Sequence, residues 1–208
     1  MESRNRSQNL IQNGMVFVNG KMVKKRSYVV NDSDFLLVLL NDDYRYPLGY
    51  SKIKRLLKYI NIQISKKAKI LDVGSSHGGF IEYFSQYTHN ITAIEIDKEK
   101  VNYLKSKYNF LEIICADAFK IPYNKFKKNS FDIISIDVTT EPEGTLNLIK
   151  KFLLFLKGEG ILIAAFKCNC SFIENELNNI KYFGGVVKKV IQLDEKKREC
   201  HVFISRDV

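Results

Sequence analysis

Nothing in this chain of 208 residues is apolar for long enough to cross a membrane; runs such as Phe152 to Leu156 are too short. A spanning helix needs about 20 consecutive apolar residues. The opening Met1-Glu2-Ser3-Arg4-Asn5-Arg6 holds no apolar core of the signal-peptide kind. Cysteine is scarce, and the four at positions 115, 168, 170 and 200 form no zinc-type pairing, since one C-x-C supplies too few ligands. The expectation is therefore a cytoplasmic protein (nucleolar in a eukaryote) with reduced thiols, no membrane attachment and no metal. Two phosphate-binding signatures are also missing. There is no G-x-G-x-x-G of the dinucleotide folds, and no loop ending in Gly-Lys-Ser/Thr. Internal repeats and low-complexity segments are absent.

What is present is the composition of a globular domain, with 45% hydrophobic and 27% charged residues. The charge is lopsided, 33 basic residues against 23 acidic, a net +10. The bases cluster at Lys21/Lys24/Lys25/Arg26, Lys52/Lys54/Arg55/Lys58, Lys66/Lys67/Lys69, Lys125/Lys127/Lys128 and Lys196/Lys197/Arg198. Such patches attract polyphosphates and imply RNA binding through a basic surface. Lysines that merely fill solvated faces are the plainer alternative.

Residues 1–13 are polar and read as a disordered tail. From 14 to 48 the pattern alternates and breaks at Asn19-Gly20, a type I′ hairpin signal. Further strands are expected at Tyr28-Val29-Val30 and from Phe35 to Leu40, making a small β-rich subdomain. The main domain is expected over 49–208. It opens with a helix from about Tyr50 to Ile60, apolar on one face and basic on the other. Strands are then expected at 69–73, 91–96, 111–115, 131–137, 160–166, 186–193 and 199–205. Helices are expected at 79–87, 98–107 (capped by Asp97), 143–156 and 171–182, with Gly158-Glu159-Gly160 ending the third of these. This βα alternation with a closing hairpin predicts an α/β doubly wound, seven-stranded, mainly parallel sheet, Rossmann-like, with one antiparallel strand.

The chain is organised around Lys69-Ile70-Leu71-Asp72-Val73-Gly74-Ser75-Ser76-His77-Gly78-Gly79-Phe80. An apolar strand passes through a glycine turn into a helix, and the turn's backbone can approach a ligand closely. Asp72 precedes the glycines, and Glu95 ends the next strand, 21 residues beyond Gly74 (95 − 74), near the spacing of a ribose-binding acid. These features resemble the class I S-adenosylmethionine-dependent methyltransferases over about residues 50 to 208. The resemblance implies S-adenosyl-L-methionine as cofactor. Its binding set would be Asp72, Gly74, Ser75, Ser76, His77, Gly78, Gly79, Phe80, Glu95, Asp117, Ala118 and Asp137. Asp72 would lie near the amino-acid moiety, Glu95 on the ribose hydroxyls and Asp117 on the adenine amino group.

In such sheets ligands sit beyond the carboxyl ends of the strands. Asp137 and Lys167 both end very apolar strands there, and a lysine at such a place calls for an acidic partner. Asp137-Val138, Ala165-Phe166-Lys167, Tyr44-Arg45 and Tyr50-Ser51-Lys52-Ile53 resemble segments of fibrillarin. Ser75-Ser76-His77-Gly78-Gly79-Phe80 and Arg198-Glu199 are similar to the FtsJ-type enzymes. Both are RNA ribose 2′-O-methyltransferases, and the resemblance implies a catalytic set of Lys52, Asp137, Lys167 and Glu199. Lys167 is expected to act as base, its pKa lowered by burial and the second lysine. Lys52 and Glu199 would position the ribose of an rRNA or tRNA. Lys54 competes with Lys52 for its place, and His201 with Glu199. Fibrillarin-type proteins work with a guide-RNA partner protein whereas FtsJ-type ones often act alone, and the sequence does not decide between them.

Other methyl acceptors have less support. Asp137-Val138-Thr139-Thr140 is not the Asn/Asp-Pro-Pro-aromatic segment of amino-adenine chemistry, and that loop has no cysteine nucleophile for cytosine C5. Glu141 and Glu143 alone make a poor magnesium site. Two rivals remain: a methyltransferase of this fold acting on a small molecule or protein, and a non-catalytic RNA-binding scaffold.

Overall fold

The computed structural model describes residues 4–12, 14–40, 46–194 and 198–206. The Tyr44-Arg45 segment and Lys196/Lys197 lie outside the described residues. The chain divides into two units, Met1–Arg45 and Tyr46–Val208.

In the first unit, α1 (Arg4–Gln12) is followed by a sheet of β1 (Val16–Val18), β2 (Lys21–Val23) and β3 (Leu36–Val38), in the order β2-β1-β3. The Asn19-Gly20 turn has positive φ at both residues, as a type I′ hairpin needs. Asn19 also ties the hairpin to the start of β3. Its side chain donates to Asp34 (2.7 Å) and accepts from the Phe35 N–H (2.8 Å). Two expectations fail here. The stretch read as a disordered tail holds the α1 helix, with Leu10 buried. Tyr28-Val29-Val30 forms no strand and is exposed, having no ladder partner among the described residues.

The second unit carries a seven-stranded sheet. It comprises β4 (Ile70–Val73), β5 (Ile91–Glu95), β6 (Glu112–Cys115), β7 (Phe131–Ile136), β8 (Leu156–Phe166), β9 (Gly185–Ile191) and β10 (Cys200–Arg206), in the order β6-β5-β4-β7-β8-β10-β9. β10 runs antiparallel to both of its neighbours, while β4 to β8 pair in parallel. Alternate residues of the central strands feed two cores. Leu71, Val73, Ile134 and Ile136 pack on one face with α5 (Pro142–Leu153), whereas Ile70, Ala93 and Ile133 pack on the other with α2 (Leu48–Leu57) and α3 (Gly79–Phe84). α4 (Lys98–Lys107) is capped as expected, the Asp97 carboxylate accepting from the N–H groups of Glu99 and Lys100. α6 (Glu174–Ile180) is shorter than the helix expected over 171–182.

Gly158-Glu159-Gly160 does not stop a helix but lies inside β8. A side chain on Gly160 would meet the Asp132 carbonyl oxygen at 2.9 Å, so this glycine marks close approach of two strands. The cysteines also depart from expectation, since Cys170 and Cys200 form a disulfide with a Cα–Cα distance of 5.1 Å. Cys200 lies opposite Phe166 in the β8–β10 pair, and the turn after β8 brings Cys170 back to it. Cys115 and Cys168 are free thiols. No helix among the described residues is long and apolar enough to cross a membrane.

Candidate active site

The topology delivers the site by gathering strand ends. β4 ends at Gly74 (φ +84°), in the left-handed region that favours glycine. A Cβ there would lie 2.7 Å from the Asp137 carbonyl oxygen, so the glycine also lets the β4 turn touch the end of β7. Gly79 is a second close approach. A Cβ on it would meet the backbone nitrogen of Gly49 at 2.6 Å, and that contact seats the start of α2 against the start of α3. Through this seating α2 carries Lys52 to the strand ends.

There four charged side chains close a ring. Lys52 Nζ donates to Asp137 Oδ2 (2.6 Å) and to Glu199 Oε1 (2.9 Å). Lys167 Nζ donates to Glu199 Oε1 (2.6 Å) and to Asp137 Oδ1. Asp137 follows β7, Lys167 follows β8, and Glu199 precedes the antiparallel β10, whose start lies beside the end of β8. Each ammonium thus touches both carboxylates, and the ring is electrically balanced. Its side chains are 18–26% exposed, enough for a substrate group to reach them.

The ring's protonation follows from that pairing. Burial would raise the Asp137 pKa, but the two ammoniums overrule it and leave the carboxyl at about 2. The same contest lowers Glu199. Burial would lower Lys167, yet Asp137 and Glu199 win and raise it above its ordinary value. The expectation that burial and a second lysine lower the Lys167 pKa is therefore corrected. Two carboxylates at contact distance outweigh a second lysine and partial burial. Glu199, not His201, completes the ring. His201 Nε2 stands 3.6 Å from Glu199 Oε2, and both of its ring nitrogens are buried without a hydrogen-bond partner among the described residues. Burial keeps this imidazole neutral, its pKa lowered to about 4. Lys54 points elsewhere, with its Nζ 5.8 Å from the Tyr50 ring centroid.

Around the glycine turn the polar groups fit the expected cofactor. Glu95, buried at the end of β5, accepts from the Ser76 N–H (2.7 Å) through Oε2 and from the Asp97 N–H (2.9 Å) through Oε1. Each oxygen keeps a lone pair that a ribose hydroxyl could use. Asp72 is 2% exposed; its Oδ1 accepts from Ser135 (2.6 Å), and its Oδ2 is a buried acceptor with no partner among the described residues. Burial pushes its pKa up to about 6. That orphaned oxygen is suited to a cationic amino group. Asp117 accepts from the Phe119 N–H (3.0 Å), which fixes the carboxylate at a loop mouth beside the buried Ala118. Ser75 donates to the Asp72 carbonyl (2.9 Å) and Gly78 opens α3. Two members of the expected set sit apart. The Phe80 side chain is buried in the α2–α3 core, and exposed His77 lines a separate hollow of about 320 Å³ with Asp97 and Tyr103.

Two residues that matter here escaped the sequence reading. Ser135, wholly buried, holds Asp72 and was hidden as the polar letter in an apolar strand. Lys151, on the apolar side of α5, is 8% exposed and donates to the carbonyls of Ala118 (3.3 Å) and Phe119 (2.6 Å), pinning the Asp117 loop. A lysine three residues after Leu148, hence on its side of the helix, was the available signal. Among the described residues no group of three or more His, Cys, Asp or Glu could hold a metal.

Comparison with known proteins agrees with this fold. A family model described as a methyltransferase domain matches residues 71–164, and one described as an S4 domain matches residues 1–36. The chain is 32% identical over 76 residues (36% of this chain, 28% of the other) to ribosomal RNA small subunit methyltransferase A of Malacoplasma penetrans. It is 26% identical over 162 residues (68% and 81%) to ribosomal RNA large subunit methyltransferase E of Wolbachia pipientis. The chain thus spans little more than a quarter of the first of these relatives. Among solved structures, a protein described as a hemolysin from Streptococcus thermophilus aligns with TM-score 0.67 at 17% identity, over 99% of this chain and 84% of that one. Fibrillarin of Aeropyrum pernix, with natively bound S-adenosyl-L-methionine, aligns with TM-score 0.62 at 17% identity, over 84% and 80%. The methyltransferase-domain match runs from the glycine turn through most of β8, across the strand ends that carry the acids. Residues 71–164 match a methyltransferase domain, the chain has the fold of the class I S-adenosylmethionine-dependent methyltransferases, and the cofactor of that domain is S-adenosyl-L-methionine.

Proposed function

We propose that residues 46–208 methylate the ribose 2′-hydroxyl of an RNA, ribosomal or transfer, with Lys52, Asp137, Lys167 and Glu199 as the catalytic set. The observation that carries this reading is the balanced ring itself, set beside the turn that would hold the cofactor. Bound S-adenosyl-L-methionine would supply an electrophilic methyl group there. A ribose hydroxyl is a poor nucleophile, so the protein must orient it and take its proton. A neutral hydroxyl can enter a ring of two cations and two anions without unbalancing it. Lys167 is held charged, and both lysines orient the oxygen. Glu199 Oε1 is taken by both lysines, while Oε2 meets only the edge of His201 among the described residues. Oε2 is thus the acceptor for the hydroxyl proton, which is released to water afterwards. The S4-domain match, the ribosomal RNA methyltransferases among the relatives and the net charge of +10 support RNA as the substrate.

The test is methyl transfer from tritiated cofactor to total RNA, followed by nuclease digestion and separation of ribose-labelled from base-labelled nucleotides. Ribose label that disappears with Lys167→Ala is the expected result. Label on bases, on protein alone or nowhere overturns the proposal.

A further inference from the structure

On the side of α2 away from the ring lies a groove of about 560 Å³, bounded by α2, the segment after it and α3. Tyrosines run along it. Tyr46 stacks on Tyr50 at 4.0 Å between centroids, Tyr50 meets Tyr83 at 5.5 Å, and Tyr83 meets Tyr87 at 5.5 Å. Tyr87 is 39% exposed. Lys54, its Nζ 5.8 Å from the Tyr50 ring centroid, and the exposed Lys58 stand on one wall, Gln63 offers an amide while the Gln86 amide donates to the Tyr50 hydroxyl (2.9 Å), and no acid is among the described lining residues. A cluster serving only to pack α2 on α3 would need neither the exposed ring nor the cationic, acid-free wall. A polyanion with flat faces would use both: the exposed Lys58 for a phosphate, the Tyr87 ring for stacking and the Gln63 amide for a base edge.

We propose that this groove binds an unpaired stretch of the RNA substrate next to the nucleotide being methylated; the inference rests on the reading of the ring as a ribose methyltransferase site. Lys52 and Lys54 are two positions apart on α2, about 200° around a helix roughly 10 Å wide. A strand in the groove would therefore run within about one helix width of the ring. Stacking tolerates any base, so the groove holds the strand in place and leaves the choice of sequence to other contacts.

The full chain is titrated with a short fluorescein-labelled oligouridine, read by anisotropy, in wild type, Tyr87→Ala, Tyr87→Phe and Lys58→Ala. Binding of S-adenosylhomocysteine and ribose labelling of total RNA are measured alongside. Tyr87→Ala is expected to weaken oligouridine binding at least fivefold with cofactor-product affinity unchanged, and Tyr87→Phe, which keeps the ring, to bind as wild type. Lys58→Ala, at an exposed site, should reduce the log–log salt slope by about 0.7. Wild-type affinity in both Tyr87→Ala and Lys58→Ala, with ribose label intact, overturns the groove alone. A wild type that neither binds oligouridine nor labels ribose overturns the underlying reading, and the groove with it. Oligouridine failing to bind while a protein partner protects Tyr87 from modification makes the occupant a protein, and likewise overturns the inference.

Discussion

Under the same strand ends the molecule buries charge in two different ways. In the ring, Lys52, Asp137, Lys167 and Glu199 each touch two opposite charges, and Asp137 stays ionised down to about pH 2. One strand away, Asp72 has a serine on one oxygen and nothing on the other, and His201 has no partner on either nitrogen, among the described residues. There burial wins, and both groups shift toward neutrality, Asp72 to about 6 and His201 to about 4. Matched charges persist in a low dielectric, and unmatched ones neutralise. The ring is accordingly built to work ionised, while Asp72 is a vacancy for a positive charge and His201 a neutral wall.

The largest effect expected from breaking the comparison is on the matched side. Lys167→Ala should cut methyl transfer by about 10² to 10³, the range for losing a preorganised charged donor at the reacting oxygen, with binding of S-adenosylhomocysteine little changed. Activity within tenfold of wild type would mean that the ring is only a salt bridge at a sheet edge. Next comes the choice between neighbouring lysines. Lys52→Ala should lose activity on a similar scale, whereas Lys54→Ala should leave the single-turnover rate on saturating RNA nearly intact; equal losses would undo the assignment. A pH–rate profile sharpens the point further. With Lys167 raised and the carboxylates lowered, the rate should show no inflection between about pH 6 and 9. A rate climbing tenfold per unit across that range would restore a neutral lysine as base.

Much of this was legible in the sequence because strand ends are legible. Apolar runs closed by Asp137 and Lys167, a glycine turn after Asp72 and an acid at Glu95 locate a site without knowledge of strand order, since parallel strands all end on one side. Lys52 and Glu199 were implied by the resemblance to the ribose methyltransferases, whereas Asp137 and Lys167 could be named for the same reason. Their protonation could not, because it depends on how many opposite charges each ammonium touches, and that is set by side-chain rotamers meeting across α2, β7, β8 and β10. Ser135 and Lys151 were hidden by the smoothness of the apolar pattern around them. The Cys170–Cys200 link was hidden because antiparallel return of β10 on β8 joins residues 30 apart. In the first unit, Tyr28-Val29-Val30 had strand composition but no ladder partner among the described residues.

On the unmatched side a smaller, equilibrium effect is expected. Asp72→Asn removes a carboxylate that burial disfavours above about pH 6, so it should stabilise the free protein by about 1 to 2 kcal/mol at pH 8, after allowing for an unsatisfied amide. The same change should weaken S-adenosylhomocysteine binding about tenfold, because an amide cannot hold an ammonium. A destabilised variant with unchanged affinity would mean that the orphaned oxygen serves the fold and not the ligand.

The subtlest consequence lies in the pH dependence of stability, where the two unmatched groups oppose each other. Between about pH 4 and 6, Asp72 is protonated in the folded chain and ionised in the unfolded one, so it makes stability fall as pH rises. Over the same interval His201 is neutral in the folded chain and protonated in the unfolded one, so it makes stability rise. Each slope is about 1.4 kcal/mol per pH unit, and together they nearly cancel. Urea unfolding of the wild type across this window should therefore show little contribution from either residue. Asp72→Asn should unmask the upward slope and His201→Phe the downward one. If both variants keep the wild-type slope, neither group is held neutral by burial, and the contrast between matched and unmatched charge at these strand ends fails.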